Sequence, residues 1–134
     1  MQSVEAFMQS FFRERAEMRR AYLACSEPFH AKFYTSDSIQ NKQRDLMERI
    51  EPEQTMSVVP SGELMEVITT GLSVGNRRWH FRYLLQPSDE SWLIRRREVE
   101  CGLCQAFEKG GAPFCPACRG TGWISGEQAP WNRA

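Results

Sequence analysis

Residues 101–122 have the sequence CGLCQAFEKGGAPFCPACRGTG and contain four of the five cysteines of the chain. They form two C-x-x-C pairs, Cys101 with Cys104 and Cys115 with Cys118, which ten residues separate. A C-x-x-C turn places both sulfur atoms on one side of the backbone, and two such turns can close a tetrahedral site with metal–sulfur distances of about 2.3 Å. Turn-forming residues occur throughout this stretch, at Gly102, Gly110, Gly111, Pro113, Pro116, Gly120 and Gly122. The stretch therefore predicts a structural zinc site with four cysteine ligands.

The same cysteines also suit other chemistry. Iron or an iron–sulfur cluster would use the same four thiolates. The C-P-x-C pattern of Cys115 and Cys118 resembles the reactive dithiol of glutaredoxin-like proteins, although the R-G-T-G sequence that follows begins a helix poorly. A disulfide is disfavoured because the N-terminus does not resemble a signal peptide, which indicates a reducing compartment. Zinc is the preferred interpretation, and the identity of the metal stays open.

The second cysteine pair resembles a known zinc-binding unit. Residues 115–122, CPACRGTG, match the C-x-x-C-x-G-x-G unit that is repeated in the zinc domain of DnaJ-type co-chaperones. The first pair lacks the following glycines, and the J domain and the full four-unit repeat are absent. The resemblance implies a zinc knuckle that presents a surface to peptides or partner proteins.

The length and composition of the chain limit its class. The 134 residues amount to 15.5 kDa with 41% hydrophobic residues, which suffices for one core and an appendage. Because 17 basic residues balance 17 acidic ones, global charge gives no case for nucleic-acid or membrane binding. No apolar run approaches the roughly eighteen residues of a membrane-spanning helix. The composition predicts a soluble, cytoplasmic protein.

The N-terminal third of the chain has a helical pattern. Apolar residues spaced by three and four predict a helix over residues 3–25, capped by Ser3. A short helix over residues 29–34 and a third over residues 39–50 follow. We expect Cys25 to be a small buried residue and His30 to be exposed or to cap a helix.

The pattern changes to a period of two after residue 52. It predicts four strands over residues 55–59, 63–73, 77–86 and 91–100, and the short links between them make consecutive strands antiparallel neighbours. On the third strand, four apolar side chains should form one face that meets the helices, namely those of Trp79, Phe81, Tyr83 and Leu85. The prediction is an α+β fold with N-terminal helices packed on a curved antiparallel sheet.

This order of elements, ending in a strand with a W-x-I sequence at Trp92 and Ile94 after a D-E-S turn, resembles the cone-shaped fold of the nuclear-transport-factor-two-like superfamily. Its members include SnoaL-like and ketosteroid-isomerase-like proteins. The resemblance implies a cone-like domain over residues 1–100, followed by the zinc knuckle over residues 101–125 and a tail over residues 126–134. It also implies a homodimer that forms through the open face of the sheet.

The superfamily resemblance further implies a pocket inside the cone, and hence, as an alternative, a small isomerase or dehydratase acting on an apolar ligand. Such an enzyme needs a carboxylate base and an oxyanion donor, for which the candidates are Tyr22, Asp37, Tyr83 and Glu98. Tyr83 is more simply interpreted as a core tyrosine with a satisfied hydroxyl. Glu98 lies on the face of Trp92 and Ile94 if the strand is regular, and we expect it to pair with an arginine.

Arginines are concentrated on the third and fourth predicted strands. A basic surface that could bind nucleic acid or an acidic partner would comprise Arg77, Arg78, Arg82, Arg95 and Arg97, with Arg96 between the last two. The preferred alternative is cross-strand pairing with Glu63, Glu66, Glu98 and Glu100, because the chain has no net positive charge. The sequence as a whole predicts a non-catalytic binding or assembly module with a structural zinc ion.

Overall fold

The fold combines two helices with one curled sheet. A computed structural model of the protein describes residues 1–20, 27–36, 53–72, 77–103 and 113–125. These residues form α1 Val4–Arg20, α2 Glu27–Phe33, β1 Gln54–Ser61, β2 Leu64–Leu72, β3 Arg78–Ser88, β4 Ser91–Glu100 and β5 Trp123–Ser125. The strands lie in the order β1-β2-β3-β4-β5 with every neighbour antiparallel, and the sheet curls into a half-barrel. The predicted α+β class is confirmed.

The start of α1 agrees with the sequence prediction. The hydroxyl of Ser3 accepts a hydrogen bond from the backbone N–H of Ala6 at 3.1 Å, and the Ser3 carbonyl accepts one from the N–H of Phe7 at 3.0 Å. Ser3 is therefore the N-cap of α1. Cys25 and the predicted third helix lie outside the described residues. In the described part of the chain, no helix is both long and apolar enough to cross a membrane.

Two-residue turns join β1 to β2 and β3 to β4, and both turns are shorter than predicted. The turn residues Gly62 and Asp89 have φ angles of 63° and 52°, which tight hairpins require. Both strands continue through a proline. Pro60 lies on edge strand β1, and Pro87 follows the last β3 residue that pairs with β2. At both positions no neighbouring strand needs the N–H that proline lacks, so no hydrogen bond between strands is lost.

Aromatic side chains fill the space between the helices and the sheet. The ring of Phe11 on α1 lies 5.4 Å from that of Phe33 and 5.8 Å from those of Tyr34 and Tyr83, measured between centroids. All three pairs meet edge to face, the arrangement that aromatic rings prefer. The predicted apolar face of β3, from Trp79 to Leu85, is buried as expected.

The second helix attaches directly to β4. The backbone N–H of Thr35 donates to the carbonyl of Ile94 at 3.0 Å, and Tyr34 forms a parallel bridge with the same residue. This attachment buries His30 next to the rings of Phe29 and Tyr34. The prediction that His30 is exposed is wrong, because its ring packs against these two aromatic rings.

A β-bulge interrupts β4. Leu85 pairs with Ile94, but its neighbour Leu84 pairs with Arg96, so β4 carries one extra residue at Arg95. An extra residue reverses the side-chain alternation beyond it. Glu98 therefore lies on the face opposite Ile94, and the prediction that the two share a face is wrong.

The last strand was not predicted as a strand. Ile124 pairs with Val99 and is buried, so this segment packs against the domain. Three residues are too short to show a strand periodicity. β5 can pair with β4 because the chain comes back beside the edge of β4 that β3 does not occupy.

The aromatic core predicts a strong effect of Phe11→Ala. We expect the free energy of unfolding to fall by about 3–5 kcal/mol, because a large cavity would open among several rings. Urea denaturation followed by circular dichroism measures this loss. The control Gln9→Ala, at an exposed position of the same helix, should change stability by less than about 0.5 kcal/mol. A loss of similar size in both variants would contradict the central position of Phe11.

Candidate metal centre

Three cysteines meet where the chain leaves β4 and where it returns. Cys101 directly follows the last residue of β4, and Cys115 and Cys118 lie in the turn that leads to β5. The backbone N–H of Cys101 donates to the carbonyl of Gly122 at 2.8 Å, which fastens the outgoing chain to the returning one. The pairing of β4 with β5 continues from this bond. The sheet edge thus positions the three thiols.

The geometry of the thiols suits one metal ion. The three Sγ atoms lie within 4.8 Å of one another, and those of Cys101 and Cys115 are 3.6 Å apart. Two sulfurs on a tetrahedral ion with bonds of 2.3 Å would be about 3.8 Å apart. All three cysteines are buried thiols that form no disulfide. These three residues could hold a metal ion.

The predicted fourth ligand, Cys104, lies outside the described residues. Three protein thiolates leave one position of a tetrahedral ion for a further ligand. Cys104 is three residues from Cys101 in the chain, a spacing that four-cysteine zinc sites commonly use. Its role as a ligand stays a prediction.

The turn after Cys118 shows why the sequence R-G-T-G is needed. The N–H of Arg119 donates to the carbonyl of Cys115 at 2.7 Å, and that of Thr121 donates to the carbonyl of Cys118 at 3.1 Å. Arg119, Gly120 and Gly122 have positive φ angles of 56°, 84° and 84°. Residues 116–120 are turns, so Cys115 and Cys118 do not precede a helix as the redox dithiol of glutaredoxin-like proteins does.

A cluster of charged and polar groups lies inside the domain, remote in sequence from the cysteines. The carboxylate of Glu53 contacts an arginine from α1: Nη2 of Arg15 lies 2.6 Å from Oε1. Its other oxygen, Oε2, accepts hydrogen bonds from the hydroxyls of Thr69 at 2.5 Å and Tyr83 at 2.7 Å. The Tyr83 hydroxyl in turn accepts from Nε of Arg97 at 3.0 Å.

The protonation states of this cluster follow from its contacts. Burial alone would raise the pKa of Glu53, but the charges of Arg15 and Arg97 and the two hydroxyl hydrogen bonds lower it below the ordinary value of 4.5. Burial raises the pKa of Tyr83 above its ordinary value of 10.0, and Arg97 offsets only part of that effect. Glu53 is therefore a carboxylate, and Tyr83, one of its hydrogen-bond donors, is neutral.

Of the four predicted pocket residues, Tyr22 and Asp37 lie outside the described residues. Tyr83 is buried with a satisfied hydroxyl, as the preferred interpretation held. Glu98 is buried on the far face of the sheet and accepts a hydrogen bond from Nε of Arg82 at 2.7 Å, which confirms its predicted pairing with an arginine. The structure does not bring Tyr83 and Glu98 together.

Arg15 and Glu53 were not predicted from the sequence to form a buried pair. One signal pointed to Arg15: it follows Phe11 by four residues and precedes Met18 by three, so a charge interrupts the apolar stripe of α1. Glu53 gave no comparable signal, because it precedes β1 and takes part in no periodic pattern.

The arginines of β3 and β4 do not share one surface. Arg97 is buried on the face that meets the helices, with its guanidinium 4.6 Å from the ring centre of Phe81. Arg82 pairs with Glu98 and Glu66 on the other face. Arg77 stacks on Trp79 at 3.7 Å.

The remaining arginines are likewise divided. The guanidinium of Arg78 donates to the hydroxyl of Thr70 at 3.1 Å, Arg96 lies 3.3 Å from Glu98, and Arg95 is the exposed bulge residue. The predicted cross-strand pairing is confirmed for Arg82, whereas the β-bulge removes Arg97 from any basic surface. The guanidinium of Arg97 instead donates from Nε to the hydroxyl of Tyr83 at 3.0 Å, and Glu63 is exposed in the turn between β1 and β2.

His80 lies between Arg78 and Arg82 on β3, where the alternation of the strand places it on the polar face. Its Nδ1 is 3.1 Å from Oε1 of Glu100, which also accepts a hydrogen bond from the backbone N–H of His80 at 3.0 Å. His80 is buried. These contacts support a structural role for His80 and argue against solvent exposure.

Glu53→Gln tests the charge cluster through its pH dependence. Because the pKa of Glu53 is lower in the folded state than in the unfolded state, its stabilisation is complete above pH 4.5 and is lost as the pH falls through the folded-state value. Near neutral pH the variant should lose about 3–5 kcal/mol, because Arg15 would lose its buried anionic partner. Urea unfolding at several pH values should show that the difference in the free energy of unfolding between wild type and variant becomes smaller as the pH falls. The control Glu17→Gln, at an exposed position of α1, should keep the wild-type stability. If Glu53→Gln were as stable as wild type at neutral pH, a buried charge at Glu53 that stabilises the fold would be contradicted.

Gly120→Ala tests the turn beside the cysteines. A Cβ atom at Gly120 would lie 2.5 Å from the carbonyl oxygen of Pro113, and the φ angle of 84° adds strain. We expect the variant to lose bound metal to a competing chelator more readily than wild type does. The matched control is Gly62→Ala, where φ is 63° but no atom lies within 4 Å of the added Cβ. This control suffers backbone strain of about 1–2 kcal/mol without a collision and should retain metal; equal metal loss in both variants would argue against the Pro113 contact.

Comparison of the chain with protein-family models, with curated proteins and with solved structures found no match. The two family resemblances in the sequence therefore stay predictions. The geometry of the three thiols is the observation from which a function can be argued.

Proposed function

We propose that the protein is a non-catalytic binding or assembly module whose C-terminal segment is folded by one structural zinc ion. The ligands are Cys101, Cys104, Cys115 and Cys118. The observation that carries the proposal is the meeting of three buried thiols within 4.8 Å at the end of β4. Four thiolates leave no coordination position for water or substrate, so such a site stabilises structure and does not activate a nucleophile.

The donor set and the spacing favour zinc. Thiolates are soft ligands that select zinc, copper(I) or iron–sulfur clusters. A cluster distributes its thiolates over several iron atoms, whereas three Sγ atoms that all lie within 4.8 Å of one another fit bonds to a single ion. A mononuclear tetrahedral site with sulfur ligands is typical of structural zinc.

The role of the metal follows from how little else holds the segment. In the described residues 101–103 and 113–125, the buried side chains are the three cysteines and Ile124, and β5 contains only three residues. This apolar surface is too small to fold alone, and metal binding would supply the missing free energy. The metal thereby fixes β5 on the sheet.

Cys115→Ser with Cys118→Ser tests the zinc site on the full chain. Elemental analysis of wild type, purified without added metal, should find about one zinc per chain. The double variant should lose the metal, and amide exchange at Trp123 and Ile124 should become fast, because β5 would detach. Cys104→Ser should also weaken metal retention if Cys104 is the fourth ligand.

Cys25→Ser serves as the control for the loss of any one cysteine, because Cys25 lies far in sequence from the other four. It should retain a full complement of zinc. Wild-type protein that contains no metal and whose Cys115 and Cys118 react rapidly with thiol reagents would overturn the proposal in favour of redox chemistry. Wild type that contains iron would overturn the identity of the metal alone.

A further inference from the structure

Large apolar side chains are exposed in two places. Apart from the N-terminal methionine, the exposed large hydrophobic residues of the described ranges are Met56 at 55%, Val59 at 44%, Leu103 at 65% and Phe114 at 95% exposure. Met56 and Val59 lie on β1 and form the β1 patch. Leu103 and Phe114 flank the cysteines and form the knuckle tip. Single exposed apolar residues are ordinary, so what matters is whether these two surfaces complement each other.

The backbone of the knuckle tip lies next to the metal centre. Phe114 lies between Pro113, whose carbonyl packs against Gly120, and Cys115, whose buried thiol belongs to the metal centre. Leu103 follows Cys101 by two residues. The exposed ring of Phe114 could bury nearly its whole surface against a partner, and aromatic side chains often contribute most of the affinity of an interface.

The β1 patch lacks the charged side chains that protect many edge strands. Seven of the eight residues of β1 are exposed, and none of the eight carries a charge. Natural edge strands are commonly protected by charged side chains. The register irregularity between Thr55 and Ser57 and the missing N–H of Pro60 interrupt the outer edge, so this strand suits side-chain packing better than continuous strand pairing.

The two surfaces also have complementary charges. Arg119 is exposed, and it is the one charged residue of the described knuckle residues 101–103 and 113–125. Glu63 is exposed in the turn that follows β1. The knuckle tip therefore combines apolar side chains with a cation, and the β1 patch combines them with an anion. Contact between them would bury apolar area and bring opposite charges together.

The positions of the two surfaces suit a closed pair of chains. β1 and β5 are the opposite edges of the sheet, and the knuckle tip belongs to the segment that leads to β5. A twofold axis between two copies can place the tip of each copy on the β1 patch of the other, so that both surfaces of both chains are covered. If only one knuckle tip docked on one β1 patch, the other knuckle tip and the other β1 patch of the pair would remain exposed.

We propose that the knuckle tip of this chain docks on the β1 patch of a second copy and so forms a homodimer. The proposal rests on the proposed function, since the metal folds the loop that presents Phe114. It names the second copy as the partner of the assembly module and places the contact at the two edges of the sheet.

Sedimentation equilibrium of the metal-loaded full chain tests this interface over a range of concentrations. Wild type should show a mass of twice the 15.5 kDa of one chain. Phe114→Ser and Met56→Lys should each weaken dimerisation by about tenfold or more, because each removes a buried apolar contact. Both positions are exposed in the single chain, so neither change should disturb folding. The control Glu17→Lys, which changes charge at an exposed position of α1, should leave the dimer unchanged.

A charge exchange makes the test specific. Arg119→Glu and Glu63→Arg should each weaken the dimer, and the double variant should recover most of the wild-type affinity, because the opposite charges would meet again in reversed order. Recovery requires that the two residues are neighbours across the interface. A double variant as weak as the two single changes combined would overturn the pairing.

Zinc content measured on each sample separates this inference from the proposed function. A monomer that contains a full complement of zinc overturns the interface and leaves the metal centre intact. A dimer that is insensitive to Phe114→Ser and Met56→Lys overturns the interface as well. A metal-free wild type that still forms a dimer sensitive to Phe114→Ser supports the interface and overturns the metal centre.

Discussion

The carboxylate of Glu53 lies in the interior of the domain, and the surrounding elements are arranged so that it can remain charged there. A buried carboxylate is stable only where cations and hydrogen-bond donors replace the lost water. Here Arg15 from α1, Thr69 from β2 and Tyr83 from β3 contact the carboxylate. Arg97 from β4 donates to the Tyr83 hydroxyl and adds its positive charge. Moving any one of these elements would leave a buried charge or hydroxyl without part of its hydrogen bonding. The cluster therefore fixes how the helix sits on the sheet, a role that apolar contacts perform with less directional precision.

The β-bulge in β4 is what allows this cluster to form. If every residue of β4 were paired in turn, without a bulge at Arg95, residues 97 and 99 would lie on the face away from the helices. With it, Arg97 reaches Tyr83 in the core, while Glu98 and Glu100 turn to the other face. There Glu98 binds Arg82 and Glu100 binds His80. One inserted residue thus gives β4 a separate charge network on each of its faces.

The same strand connects the domain to the metal centre. β4 ends at Glu100, and Cys101 continues from it with its thiol beside that of Cys115. In the returning chain Trp123 pairs with Glu100, and the Trp123 ring lies 5.3 Å from the Arg82 guanidinium. The proposed metal would therefore stabilise the edge of the sheet as well as its own loop. It would also hold Phe114 in the exposed position from which the proposed dimer contact is made.

The sequence by itself determined the features that depend on local pattern. Ser3 marks the start of α1, the alternation from Trp79 to Leu85 gives the buried face of β3, and the cysteine spacing brings thiols together. The tertiary structure decided the partners of Glu53, the face of Glu98 and the pairing of β5. The partners of Glu53 and the pairing of β5 depend on segments far apart in the chain, and the face of Glu98 depends on the single extra residue of the β-bulge. Such features leave no periodic signal in the sequence. Local pattern encodes which residues a helix or strand buries, whereas register and burial of charge are fixed only when the elements pack together.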